Sequence, residues 1–372
     1  MTRAMRTAAG CSVIAGVVAA VVGYFAAGDR GIGSLVRVPR EEPIGGYVAR
    51  LDPEFHFVPQ EAKYDGRYFY AIALDPFARG EASELLDNAS YRYGHPAHGW
   101  LARFFAAGRL NLVPWALLAL SVAGLALAAG ASSLIASGMG ASGWLALTIA
   151  VNPGLLFAVS VDTAEAAAAG ILALALLLWL RGTRPQAAAL MVLLCLMKEP
   201  FVAVPLGLLA WEALEWRRGR GTKELLERAA LLAAGPVALG LWHIYLRVTF
   251  GIWPFADDPQ NLGAPIAGWL ESLRLASDQA TDPIHSQLGS VSLVILVALG
   301  TALLIGAVRA ARFRSPMSPV YVLTVALLLF LTPAALHFPK DLFRNTWLAL
   351  AFLPIVVWSD DGHMSMLEEK SD

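Results

Sequence analysis

The chain has 372 residues, a net charge of −1, 57% hydrophobic residues and only 15% charged residues. An average soluble domain carries about 25% charged residues, so an ordinary water-soluble enzyme is excluded and a polytopic membrane protein is expected. No basic patch points to nucleic acid, and Cys11 and Cys195 lie far apart in apolar stretches, with neither a disulfide framework nor zinc spacing.

A bilayer core of about 30 Å takes roughly 20 apolar residues per helix. Ala8 to Ala27 supplies the first run, after Arg3 and Arg6. Phe25 stands where a cleavage site wants a small residue, so this run reads as an uncleaved signal-anchor. Further spans are predicted near Leu112 to Leu127, Trp144 to Ser160, Ala164 to Leu180, Ala187 to Met197, Val202 to Leu214, Ala229 to Val248, Val291 to Val308, Val320 to Leu336 and Trp347 to Val357. The fold class expected is therefore all-α: a transmembrane helical bundle of about ten spans, one membrane domain over residues 1–358, followed by a short, polar, disordered cytoplasmic tail at 359–372. No internal repeat or long linker divides it.

The basic residues sort by side. Arg181 and Arg184, then Arg217, Arg218, Arg220, Lys223 and Arg228, then Arg309, Arg312 and Arg314 all fall with Arg3 and Arg6. By the positive-inside rule that side, with the N-terminus, is cytoplasmic. The sorting requires Lys198-Glu199-Pro200 to interrupt a helical hairpin, with Lys198 and Glu199 relieving each other's charge at its tip. The long loop 29–109 then faces outward, and it is the longest polar segment of the chain.

Tyr64-Asp65-Gly66-Arg67-Tyr68-Phe69-Tyr70 sets a carboxylate among aromatics in this loop, whose amphipathic helices are expected to lie along the membrane surface. Gly66 permits close approach of backbone or ligand, and Arg67 is placed to keep Asp65 ionised. Two roles stay open for Asp65: a base that deprotonates a hydroxyl, and a cap for the helix starting near Arg67. Tyr91-Arg92-Tyr93-Gly94-His95 sets a guanidinium between two rings, suited either to a phosphate or to an interfacial aromatic belt. His95 and His98 have i,i+3 spacing, but Pro96 intervenes and no carboxylate accompanies them, so no metal is expected. Asp162, Glu165, Lys198, Glu199, His337, Lys340, Asp341 and Arg344 fall at one outer depth, where together they suit an anionic lipid head group around an outward-facing cavity.

These features resemble the GT-C superfamily of polytopic glycosyltransferases that use lipid-phosphate sugars. The likeness rests on the first helix, the Tyr-Asp-Gly-x-x-Phe-Tyr pattern at Tyr64 to Tyr70, Ser90-Tyr91-Arg92-Tyr93, Asn152-Pro153 with Asp162 and Glu165, the Lys198-Glu199 turn and Arg344 before the last helix. It is similar to bacterial mannosyltransferase-like proteins of cell-surface glycopolymer formation, an inner or plasma membrane location. The resemblance implies Asp65 as the catalytic carboxylate, with Tyr64, Arg67, Arg92, Tyr93, His95, Asp162, Glu165, Lys198, Glu199, His337, Lys340 and Arg344 binding substrate. It implies a polyprenyl-phosphate monosaccharide donor and a glycan or lipid hydroxyl acceptor, and no cofactor. A first-loop Asp-x-Asp pair and a large soluble C-terminal domain are both absent, which fits a small metal-independent member. The rival readings are a transporter or flippase of an envelope precursor, which an inverted repeat would favour, and a noncatalytic assembly scaffold.

Overall fold

The computed structural model describes residues 1–257, 262–282, 285–312 and 315–358; Arg314 and the expected tail at 359–372 lie outside the described residues. The described chain is helical, without a strand beyond two isolated bridges, Pro39 with Val58 and Leu262 with Leu331. Among the described residues four helices are long and apolar enough to cross a bilayer, those at Arg3–Ala27, Val113–Gly138, Thr222–Phe250 and Ser286–Ala310, or five if a bent pair counts as one span. The shortest of the four has 25 residues, about 37 Å at 1.5 Å per residue. Their outward faces carry exposed Val237, Leu241, Val294 and Leu304, the composition that lipid solvates and water does not. The protein is an all-helical membrane protein.

All ten predicted apolar segments fall on helix; two of them are broken, and the connection between two others is reorganised. Trp144 to Ser160 is two pieces, Gly143–Ala150 and Pro153–Ser160, bent by 46°. The break is chemical: the Asn152 side chain accepts hydrogen bonds from the Gly154 and Leu155 amides at 3.0 and 3.2 Å, and Pro153 occupies the first turn. Val320 to Leu336 stops as a helix at Leu328 and resumes at Pro333–Leu336. The third case is Lys198-Glu199-Pro200, which does end the Arg184–Met197 helix, a short 3₁₀ turn leading into Ala203–Arg217. Instead of packing as a hairpin, however, these two helices both pack on Thr222–Phe250, the first also on Glu165–Leu180 and the second on Met317–Leu328.

Small residues set the closest approaches. A Cβ at Gly124 would lie 2.4 Å from the Ala166 carbonyl oxygen, so Val113–Gly138 and Glu165–Leu180 touch backbone to backbone. A Cβ at Gly154 would lie 2.2 Å from the Phe343 oxygen, which seats the Pro153–Ser160 helix on the last helix, Pro339–Trp358, one residue before Arg344. The core around these crossings includes Leu125, Ile135, Leu155, Leu172, Met191, Val204, Tyr321 and Phe352.

The first loop is ordered and contains short helices such as Pro43–Leu51 and Ala97–Phe105. It has a core of its own, built from Val36, Val38, Ile44, Val48, Phe55, Phe69 and Tyr70, and this core closes on Val113, Leu117 and Ala164 of the bundle. At the far end of the helices, away from Lys198, the basic run is partly internal. Glu212, 3% exposed, receives Arg220 at 2.5 Å and Arg228 at 2.6 Å.

Gly124→Val is expected to destabilise the purified protein by about 1–3 kcal/mol through overpacking at the helix crossing. Gly46→Ala, in open space on the exposed face of the helix Pro43–Leu51, is expected to be neutral or to stabilise by roughly 0.5–1 kcal/mol. Thermal unfolding in one detergent compares them.

Candidate functional site

The helix Gly66–Leu74 begins one residue after Asp65, and Asp65 stands at its cap position without making a cap hydrogen bond. The carboxylate turns instead to the last helix, where its Oδ2 accepts from Arg344 Nη1 at 2.7 Å. Arg344 Nε donates to Glu165 Oε1 at 2.7 Å, and Lys198 Nζ donates to the same oxygen at 2.6 Å. Four distant segments thus meet at one centre: the first loop, the start of Glu165–Leu180, the end of Arg184–Met197 and the first turns of Pro339–Trp358.

Tyr64 braces the centre. Its hydroxyl accepts from Arg344 Nη1 at 3.0 Å and donates to Asp341 Oδ1 at 2.6 Å. The ring lies edge-on to Phe157 at 5.0 Å, with the Arg344 guanidinium 5.1 Å and the Lys340 ammonium 5.2 Å from its centroid. Lys340 is exposed at the rim, while Glu165 and Arg344 are 1% and 9% exposed. The Asp65 side chain, 34% exposed, is the acid of the pair that solvent reaches. Partial burial pushes the Asp65 carboxyl up, but Arg344, then Arg92 and Lys198, outweigh it and hold it below the ordinary carboxylate range.

A second wall stands beside this centre. Arg92 is stacked between rings, 4.0 Å from the Tyr68 centroid and 5.1 Å from that of Tyr91. His95 Nδ1 faces Glu199 Oε1 at 3.4 Å, with Phe69 and Tyr91 on its flanks. Burial pushes the Glu199 carboxyl up, but His95 beside it brings it down to about 2.

Several pairings differ from those expected. Arg67 does not hold Asp65; it lies 3.4 Å from Glu42 and 3.8 Å from Asp87 and bonds the Tyr68 hydroxyl at 2.5 Å. Two residues further along the helix start, it leaves on another side of the helix. Tyr93 is not the second ring around Arg92. It is fully buried against Phe250, and Tyr68 takes its place. Lys198 and Glu199 do not pair with each other, because consecutive side chains diverge: one reaches Glu165 and the other His95. Asp162 is fully buried, and its carboxylate bonds no member of the centre. His337 approaches Gln279 at 3.1 Å and no member of the centre. Asp341, which the sequence grouped with the outer charges, bonds Tyr64, and three residues given no role by the sequence stand nearby: Asp87 beside Arg92, Glu42 beside Arg67 and His243 at 3.2 Å from the Gly94 carbonyl. Asp341 was the most readable of them, since it lies one helical turn before Arg344.

Among the described residues no group of three or more His, Cys, Asp or Glu side chains is arranged to hold a metal. Chemically, the centre offers a solvent-reached carboxylate, a guanidinium shared between two acids, and flanking cations. No known protein family matches the chain, and no curated protein matches it in sequence.

Arg344→Gln is expected to cost about 3 kcal/mol, the low end for breaking a buried pair, since Lys198 still faces Glu165. A depressed Asp65 contributes stability that is present above its unfolded pKa of about 3.9 and lost as pH falls through the folded value. The gap between parent and variant should therefore narrow below about pH 4, which thermal unfolding across pH 3–7 measures.

Proposed function

We propose that the protein is a GT-C-type membrane glycosyltransferase. It transfers a monosaccharide from a polyprenyl-phosphate donor to a hydroxyl of a cell-envelope glycan or lipid, on the extracytoplasmic face. The observation that carries this reading is the meeting of Asp65, Glu165, Lys198 and Arg344 from four distant segments beside a partly open carboxylate. In this reading the shorter apolar helices join the four long ones to make about ten crossings, with the N-terminus and the Glu212–Arg228 cluster cytoplasmic.

Asp65 takes the proton of the acceptor hydroxyl as its oxygen attacks the anomeric carbon. The bond from that carbon to the phosphate oxygen breaks, and polyprenyl phosphate leaves as an anion. The leaving group needs charge stabilisation more than protonation. Arg344 supplies it by exchanging Asp65 for phosphate, which at the same time frees Asp65 to act as a stronger base. Lys198 and Arg92 hold the remaining charge, and Lys340 at the rim receives the incoming anion. One turn deeper, Trp347, three residues after Arg344, and Ala169, four after Glu165, line a small apolar cavity with Leu155, Leu172 and Phe352.

A positioned base contributes about 10²–10⁴-fold, so Asp65→Asn should lower turnover by that order in a folded protein. The assay is transfer from a panel of polyprenyl-phosphate monosaccharides by the purified protein in lipid. Equal donor consumption by parent and variant would remove Asp65 from the chemistry. In the parent, kcat/KM should fall only below the usual carboxylate range, because Asp65 is held low in the free protein.

A further inference from the structure

Two non-glycine residues with left-handed backbone flank the Asp65 segment. Arg37 has φ +62° and Asp162 φ +48°, a region that L side chains adopt rarely. The residue before each of them aims its carbonyl at the same glycine. A Cβ built on Gly66 would lie 2.9 Å from the Val36 oxygen and 2.3 Å from the Val161 oxygen. Both contacts are to backbone, so no rotamer change relieves them. Gly66, directly after Asp65, is thus closed on its Cβ side by two carbonyls, one from the first loop and one from the turn between Pro153–Ser160 and Glu165–Leu180.

The Arg37 side chain ties the two turns to each other. Arg37 Nη2 donates to the Ser160 carbonyl at 3.3 Å, bridging the first loop to the turn that carries Asp162. Asp162 is fully buried, and neither carboxylate oxygen has a hydrogen-bond partner among the described residues. Arg37 is the cation whose field reaches it. A buried, strained acid with no ligand-facing surface does not bind substrate. Its turn, however, places Val161 against Gly66.

We infer that Arg37 and Asp162 are positioning residues for Asp65: their left-handed turns press the Val36 and Val161 carbonyls onto Gly66 and so fix where the carboxylate points. The inference rests on the proposed function only in taking Asp65 as the working carboxylate. Strain of this kind persists where surrounding structure over-determines it, and it clusters at functional sites.

The test compares Gly66→Ala and Asp162→Val, which crowd or forbid the clamp, with Asp162→Gly and Asp162→Asn, which keep the left-handed turn. The primary readout is the Asp65 carboxylate band in infrared pH titrations of the purified protein, assigned by its loss in Asp65→Asn. Gly66→Ala and Asp162→Val should shift the band and its titration midpoint, and lower kcat by roughly ten- to a hundredfold with KM within about twofold. Asp162→Gly and Asp162→Asn should keep the parent's band. A folded Gly66→Ala or Asp162→Val with the parent's Asp65 titration overturns the inference. So does a shifted band in Asp162→Gly or Asp162→Asn, which stay informative if the first pair fails to fold. If no donor is turned over by the parent, the glycosyltransferase reading fails while the infrared comparison still decides the clamp.

Discussion

Arg344 shares one guanidinium between Asp65 and Glu165, and the geometry of the whole charged centre follows from that sharing. Glu165 is almost completely buried at the start of an apolar helix. A carboxylate there is tolerable only when paired, because its desolvation is repaid only by close opposite charge and good hydrogen bonds. Two cations answer it, Arg344 and Lys198. Arg344 in turn draws Asp65 down from the first loop and Tyr64 with it. Two acids and two cations sum to zero, so the centre is stable without a ligand, and an anionic ligand enters only by exchange. The partner most easily exchanged is Asp65, which solvent already reaches, rather than Glu165. In the proposed reaction this arrangement couples anion binding to the release of Asp65 as the base.

That coupling depends on tight apolar packing below the charges. Gly154 lets the Pro153–Ser160 helix lie directly on Phe343, and Gly124 lets its neighbours close in behind it. In lipid there is no hydrophobic drive between helices, so close van der Waals contact through small residues does this work. The first loop contributes rigidity in another way. Because Phe69 and Tyr70 belong to a core that also includes Leu117 and Ala164, the segment after Asp65 is anchored in the bundle instead of floating at the interface.

Hydropathy made the helical segments readable, since each apolar run needs its backbone satisfied internally. The grouping of Glu165, Lys198 and Arg344 at one depth was readable too, from span boundaries alone. Asn152-Pro153 carries a cap and a first-turn proline in plain view, yet an apolar window averages over it. The pairing of charges was not readable. Arg67 was assigned to Asp65 and Lys198 to Glu199 by adjacency, but neighbours on a helix or tight turn point apart, and each took a partner from a distant segment. Asp162 was grouped with the outer charges because its depth is right. The left-handed turn that buries it leaves no mark in composition.

Depth, then, is a one-dimensional property that sequence reports well, whereas direction around a helix axis decides chemistry. Asp162 and Glu165 differ by three residues and by almost nothing in depth, yet one stiffens a turn and the other anchors the charge centre. Asp65 differs from Arg67 by two residues, and only Asp65 faces the last helix. What makes Asp65 distinctive is not its burial or its neighbours in sequence. It is held by backbone contact at Gly66 on one side and by a removable cation on the other, so its position can stay fixed while its charge environment changes.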